Sequence, residues 1–290
     1  MFVICLIFSY KYTNNLPISQ LFLYFSYPEL TLLIPSLIDD SLDRDLIVAY
    51  FAKTVKRKFG TVALVSSFRR AEQYMHIGSE IANTQNIFEC INSLKRGNIT
   101  QTLVIVNRYD GIDLPDDSCR ILIIDSMPFF DSLNDRYEEQ CRTNSDIINI
   151  KLAQKIEQGL GRSVRGEKDY SAILIIGEGL VKFVKSVKTN KYFSAQTRKQ
   201  IEIGFKISEM AKEDLVEGES AIIVVKSLIN QSLRRDEGWK EFYIEEMDKI
   251  DVSVSELNVY NILHLEKEAE DANVKGDNET ACSKIQNILT

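Results

Sequence analysis

Not one glycine in these 290 residues is followed by lysine, so the chain carries no G-x-x-x-x-G-K-[ST] loop. That excludes a self-contained cradle of backbone amides and a lysine for the phosphates of a nucleotide. An acidic pair at the end of an apolar strand is missing as well. Asp236-Glu237 is the single Asp-Glu dipeptide, and it follows a basic helical segment, Ser232 to Arg235. Asp125 does end an apolar strand, but Ser126 follows it. The carboxylates that hold magnesium beside such a loop are therefore not provided in the usual way.

Soft metal ligands are equally scarce. Cys5, Cys90, Cys119, Cys141 and Cys282 are scattered without a C-x2-C spacing, and His76 and His264 are alone in their neighbourhoods. Neither a zinc site nor an iron–sulfur cluster is expected from such a distribution. An odd number of dispersed cysteines suits a reducing cytoplasm better than a disulfide framework. Apolar runs of membrane length are absent too. Met1 to Phe8 is almost wholly apolar, but Tyr10 to Asn15 and Ser19-Gln20 interrupt the stretch, and a span needs roughly 20 such residues in a row. No basic residue precedes the apolar start and no A-x-A follows it, so an export signal is not indicated either. Residues 1–31 read as an apolar leader on a truncated reading frame, outside a core that begins near Leu32. The expected location is the cytoplasm, with no membrane role.

What is present is the composition of a soluble globular protein, 44% apolar and 27% charged. Its length allows one substantial core and an appendage. A net charge of -7 argues against a uniformly cationic nucleic-acid binder, but the charge is unevenly spread. Lys151 to Lys199 holds eleven Lys/Arg against four Asp/Glu, whereas Asp236 to Thr290 holds five Lys against fourteen Asp/Glu. The basic segment can be a solvated face or a surface that tracks phosphates, with Lys182, Lys185 and Lys188 on one helical side.

Apolar runs at Thr61–Ser66, Leu103–Val106, Ile121–Ile124 and Ala172–Ile176 read as buried strands. Helical spacing separates them, at Asp43–Lys58, Arg69–Ile81 and Asn134–Arg165; Asn86–Leu94 is ambiguous. Strands alternating with helices predict an α/β fold, a parallel sheet covered on both faces. This core is expected over 32–190. Beyond it, 191–290 reads as a helical extension, and 255–290 as a tetratricopeptide-like hairpin whose spaced alanines let two helices approach.

Two stretches carry chemistry. Gln158-Gly159-Leu160-Gly161-Arg162-Ser163-Val164-Arg165 reads Q-x-x-G-R-x-x-R. On a continuous helix Gln158, Arg162 and Arg165 would share one face, with Gly159 and Gly161 leaving room for a ligand beside it. Paired guanidiniums suit the oxygens of a transferring γ-phosphoryl group. Upstream, the strand ending at Val106 breaks into Asn107-Arg108-Tyr109-Asp110-Gly111-Ile112-Asp113-Leu114-Pro115. Ligands of open α/β sheets sit outside such carboxyl ends, where Gly111 and Asp113 fall.

The two stretches, in this order, resemble motifs V and VI of the C-terminal RecA-like domain of superfamily 2 helicases of the DinG/XPD type. Leu64-Val65-Ser66-Ser67-Phe68 is similar to motif IV of that family, and Ile124 to Phe130 to the strand and Pro-Phe after motif V. Asp110 stands where the family usually has glutamate. The resemblance covers roughly Ile34 to Lys185. It implies a RecA-like fold and the second half of an ATP-dependent DNA helicase. Ser66, Ser67, Phe68 and Arg69 would then face a single DNA strand, with RNA as the alternative. Gly111 and Asp113 would couple strand to nucleotide, Gly161 would approach the nucleotide, and Gln158, Arg162 and Arg165 would sense the γ-phosphate. ATP and Mg2+ would be held only together with a first RecA-like domain, in cis or in trans, so the chain alone should hydrolyse ATP negligibly. A non-enzymatic nucleic-acid or protein binding module derived from a helicase is the other reading.

Overall fold

The computed structural model describes residues 29–54, 57–97, 100–109, 111–114, 116–130, 133–141, 146–164, 169–216, 218, 220–250 and 254–289. The elements in chain order are β1 (Glu29–Leu33), α1 (Pro35–Ile38), α2 (Arg44–Phe51), β2 (Thr61–Val65), α3 (Phe68–Met75) and β3 (Glu80–Ala82). Next come α4 (Ile87–Lys95), β4 (Leu103–Val106), β5 (Ile121–Asp125), α5 (Leu133–Cys141), α6 (Asp146–Leu160), β6 (Tyr170–Ile176) and α7 (Glu178–Lys185). The remainder is helical: α8 (Val187–Asn190), α9 (Ala195–Glu213), α10 (Ala221–Arg234), α11 (Glu237–Met247), α12 (Val254–Val274) and α13 (Asn278–Leu289).

All six strands pair in parallel, in the order β1-β6-β5-β2-β4-β3. Every residue of β1, β2 and β5 is buried, as a sheet covered on both faces requires. Alternate residues such as Leu32, Leu64, Ile105, Ile124 and Ile173 pack with Ile91, Ile156 and Leu180 of α4, α6 and α7 in one apolar core. Residues of opposite parity meet other helices. Thr31 of β1 shares a 2.5 Å hydrogen bond with Ser232 of α10, and Tyr74 of α3 donates to Asp125 at the end of β5. The fold is therefore α/β and RecA-like, with a helical C-terminal part.

Several local expectations need correction. The helix expected at Arg69–Ile81 stops at Met75, and the edge strand β3 follows. Three residues, one of them exposed, show too little alternation to announce a strand. Helix α2 ends at Phe51, well before Lys58. The sheet already includes Glu29–Thr31, which the apolar leader had concealed. Lys188 lies beyond the break at Ser186, whose extended backbone separates α7 from α8, so it does not continue the face of Lys182 and Lys185.

The chain divides into two compact units, one through Asp248 and one over Lys249–Thr290. Helices α9 and α10 pack on β1, and α11 packs on α9, so all three belong to the first unit. In the second unit α12 and α13 form a hairpin. Ala269 and Ala272 are buried in it, Lys284 donates to Glu268 at 2.7 Å, and Asp277 caps α13 by accepting from the Thr280 amide at 3.0 Å. Among the described residues no helix is long and apolar enough to cross a membrane, and no cluster of metal-ligating side chains occurs.

Candidate functional site

Parallel pairing brings the carboxyl ends of β5, β2 and β4 level: Val65 is opposite Asp125 on one side and Val106 on the other. The segments after these strands therefore form one edge. Asn107, in the left-handed region at φ 48°, donates its amide to the Val65 carbonyl at 2.8 Å and turns the chain over the sheet. Tyr109 then drops into the core and is fully buried. Gly111 follows at φ 68°, with open space where a Cβ would stand. Any L side chain there would be strained, so the loop keeps bare, approachable backbone at this point.

Helix α6 reaches this loop from below and ends at Leu160, one residue before Gly161, a common stop signal. Arg162 consequently lies in a turn rather than on the helical face of Gln158, which is exposed. The expectation of three side chains on one helix face is corrected by that stop; Arg165 lies outside the described residues, as do Asp110 and Pro115. Gly159 faces the loop directly. A Cβ on it would sit 2.7 Å from Cδ1 of Tyr109 and 3.3 Å from Leu64. The space that this glycine leaves is filled by the tyrosine ring, not kept for a ligand.

The Arg162 turn is clasped to the loop. Its Nε donates to the Tyr109 carbonyl and its Nη1 to the Ile112 carbonyl, each at 2.8 Å. In return the Leu114 amide donates to the Arg162 carbonyl at 3.4 Å. The guanidinium is half-buried, beside Gly111 and the half-buried Asp113. Ser163 is buried and shares a 2.6 Å hydrogen bond with Ser171 of β6, which anchors the turn to the sheet.

At the end of β2, Ser66 is buried, and Ser67 caps α3 by accepting from the Arg70 amide at 3.4 Å. Phe68 and Arg69 are the exposed members of that group. Phe68 lines a groove of about 400 Å3 along the strand ends, together with Asn107, Arg108 and Phe129. Lys155 of α6 donates to the Phe129 carbonyl at 2.7 Å, and the adjoining Phe130 is buried.

Sequence reasoning missed one cluster at this edge. Asp125 is fully buried and accepts from Arg44 Nε at 2.8 Å, Arg44 Nη2 at 2.5 Å, Tyr74 at 3.0 Å and Ser126 at 2.7 Å. Arg44 also reaches Asp45 and Gln73. Burial pulls the Arg44 guanidinium down, but the hydrogen bonds and charge of Asp125 outweigh it and leave its pKa raised. Burial first, then the Asp125 charge, push the phenols of Tyr74 and Tyr109 up, so both stay protonated at ordinary pH.

Residues 51–200 match the model of the family described as helicase C-terminal domain. That match covers half of the chain, and the chain belongs to that family. Among solved structures it is similar to an XPD helicase at 14% identity and a TM-score of 0.39, covering 57% of this chain and 33% of that one. A second XPD, in its apo form, matches at 17% identity and 0.39, covering 58% and 38%. A Dbp5 variant of S. cerevisiae bound to a Gle1 variant and IP6 matches at 12% and 0.30, covering 71% and 46%. The chain thus spans less than half of each of these proteins. No curated protein matches it significantly.

The contact of Gly159 with Tyr109 gives a direct test of how α6 is seated. Gly159→Val is expected to lower the stability of the first unit by about 1–3 kcal/mol through overpacking. Gly159→Ala should cost less, because about 1 kcal/mol of helix propensity returns. Denaturant midpoints measure both, and a Val variant as stable as the parent would mean that the ring can simply step aside.

Proposed function

We propose that this chain is the second motor domain of an ATP-dependent nucleic-acid helicase. It offers a strand path at the carboxyl edge of its sheet and arginines to nucleotide held by a first RecA-like domain. The observation that carries the reading is the Arg162 clasp: one guanidinium fixes the loop over Gly111 and Asp113 to the turn that follows α6. A loop that touches nucleic acid and a turn that touches γ-phosphate are thereby one rigid piece, as coupling of strand movement to hydrolysis requires.

Magnesium-bound ATP suits this arrangement only in part. Gly111 leaves backbone open to a phosphate and Arg162 supplies fixed positive charge beside it. The sequence has no lysine loop to hold the triphosphate itself. ATP supplies the driving free energy; this chain's residues orient the phosphate end and hold the loop against the strand. Gln158, which is exposed, and Arg165 complete the proposed phosphate contacts, and Phe68 and Arg69 the strand contacts. Single-stranded DNA is the favoured strand, by family.

Mixing is the test. The chain alone should hydrolyse ATP at background rate. Adding a first RecA-like domain of the DinG/XPD type should give ATPase activity that rises with single-stranded DNA. No activity from any such pairing, while the chain still binds DNA, would favour a binding module instead.

A further inference from the structure

We propose that the groove at the ends of β2, β3 and β4 is a base-stacking site for single-stranded nucleic acid, with Phe68 and Phe129 receiving nucleobases and Arg108 the adjoining phosphate; the proposal rests on the nucleic-acid reading above. The volume, about 400 Å3, lies in the range of ordinary ligand pockets. Its two aromatic side chains are unusually open for their type, 61% exposed at Phe68 and 44% at Phe129. They come from neighbouring strand ends, after β2 and after β5, and both line the groove.

Phe129 is held in this position from behind. Its carbonyl accepts from Lys155, and Phe130 beside it is anchored in the core. A fixed, exposed ring loses little freedom when a base stacks on it. Across the groove, Asn83 commits its Oδ1 to the amides of Gln85 and Asn86, at 2.8 and 3.0 Å. Its amide nitrogen is then the atom that a base edge can meet, and the Thr84 hydroxyl is exposed beside it.

Charge chooses the occupant. Among the described residues the groove lining contains Arg108, exposed, and no carboxylate. Arg69 and Arg70 are exposed on the first turn of α3, next to Phe68. Aromatic faces inside a cationic rim are the general device for holding a single strand without reading its sequence, since every base has a stacking face. A peptide of apolar side chains would gain nothing from the arginines. A duplex could not present its bases to the rings.

The test uses the full chain and two labelled strands of equal length and charge, an oligothymidylate and an abasic deoxyribose-phosphate oligomer, titrated by fluorescence anisotropy at low salt. The wild type should bind the oligothymidylate more tightly. Phe68→Ala with Phe129→Ala should weaken oligothymidylate binding about thirtyfold or more and leave abasic binding and its salt dependence unchanged. Phe68→Leu with Phe129→Leu keeps the apolar bulk and should lose the same base-dependent part, while the Trp pair should restore it. Arg108→Ala should weaken both strands alike and reduce the salt slope by about one.

Equal binding of the two strands by the wild type, or an alanine pair that binds oligothymidylate as the wild type does, overturns the groove assignment and leaves strand binding intact. A wild type that binds neither strand overturns the nucleic-acid reading and this proposal with it. Both phenylalanines are exposed, and unchanged unfolding midpoints will verify that the variants are folded.

Discussion

Asp125→Ala is expected to destabilise the first unit by about 3–5 kcal/mol, the largest single loss of stability at the sheet edge. The side chain is fully buried and receives four hydrogen bonds, two of them from Arg44, itself only 12% exposed. Removing the carboxylate leaves a guanidinium with most of its desolvation and little compensation, and it orphans the Tyr74 hydroxyl as well. For a unit of this size that corresponds to a fall in Tm on the order of 10 °C. Arg44→Met combined with Asp125→Ala should recover part of the loss, because the uncompensated charge is then gone. Urea unfolding of the single and double variants measures the coupling. A single variant within about 1 kcal/mol of the parent would show that Arg44 finds other partners, with Asp45 and Gln73 the nearest.

That cluster was illegible in the sequence for a plain reason. Arg44, Tyr74 and Asp125 are separated by 81 and 51 residues from their partners, and no local pattern joins them. Asp125 was visible as the polar end of an apolar strand, but its role came from what the fold brings to it. Runs such as Leu103–Val106 and Ile121–Asp125 were legible because strands covered on both faces must be apolar throughout. The same rule failed at β1, where Glu29 and Thr31 break the apolar run although both are buried, and at β3, which has a half-exposed edge position.

The loop and turn of the candidate site were legible as motifs, since their residues lie within a few positions of one another. Their geometry was less so. Two glycines in a helical pattern suggest room for a ligand, yet Gly159 admits the Tyr109 ring and Gly161 marks where the helix stops. Both glycines have local structural work that a one-dimensional pattern cannot separate from ligand binding. The bidentate grip of Arg162 on two carbonyls likewise depends on a loop 50 residues upstream.

Arg162→Ala is expected to lower the ATPase activity of the chain, assembled with a first RecA-like domain, by about a thousandfold or more. On the proposed reading two losses combine in it: positive charge offered to the γ-phosphate, and the clasp that holds Tyr109 to Leu114. Arg162→Lys separates them. Lysine keeps the charge, but a single ammonium on a flexible stem cannot replace a planar fork bonded to the carbonyls of both Tyr109 and Ile112. If the clasp matters, the lysine variant loses nearly as much activity as alanine, and amide exchange at Ile112 and Leu114 quickens in the chain alone. Arg165→Ala, at the other proposed phosphate contact, should abolish activity as well. A lysine variant within about tenfold of the parent would mean that charge alone suffices. The coupling of strand and nucleotide would then have to pass through some other contact than the guanidinium of Arg162.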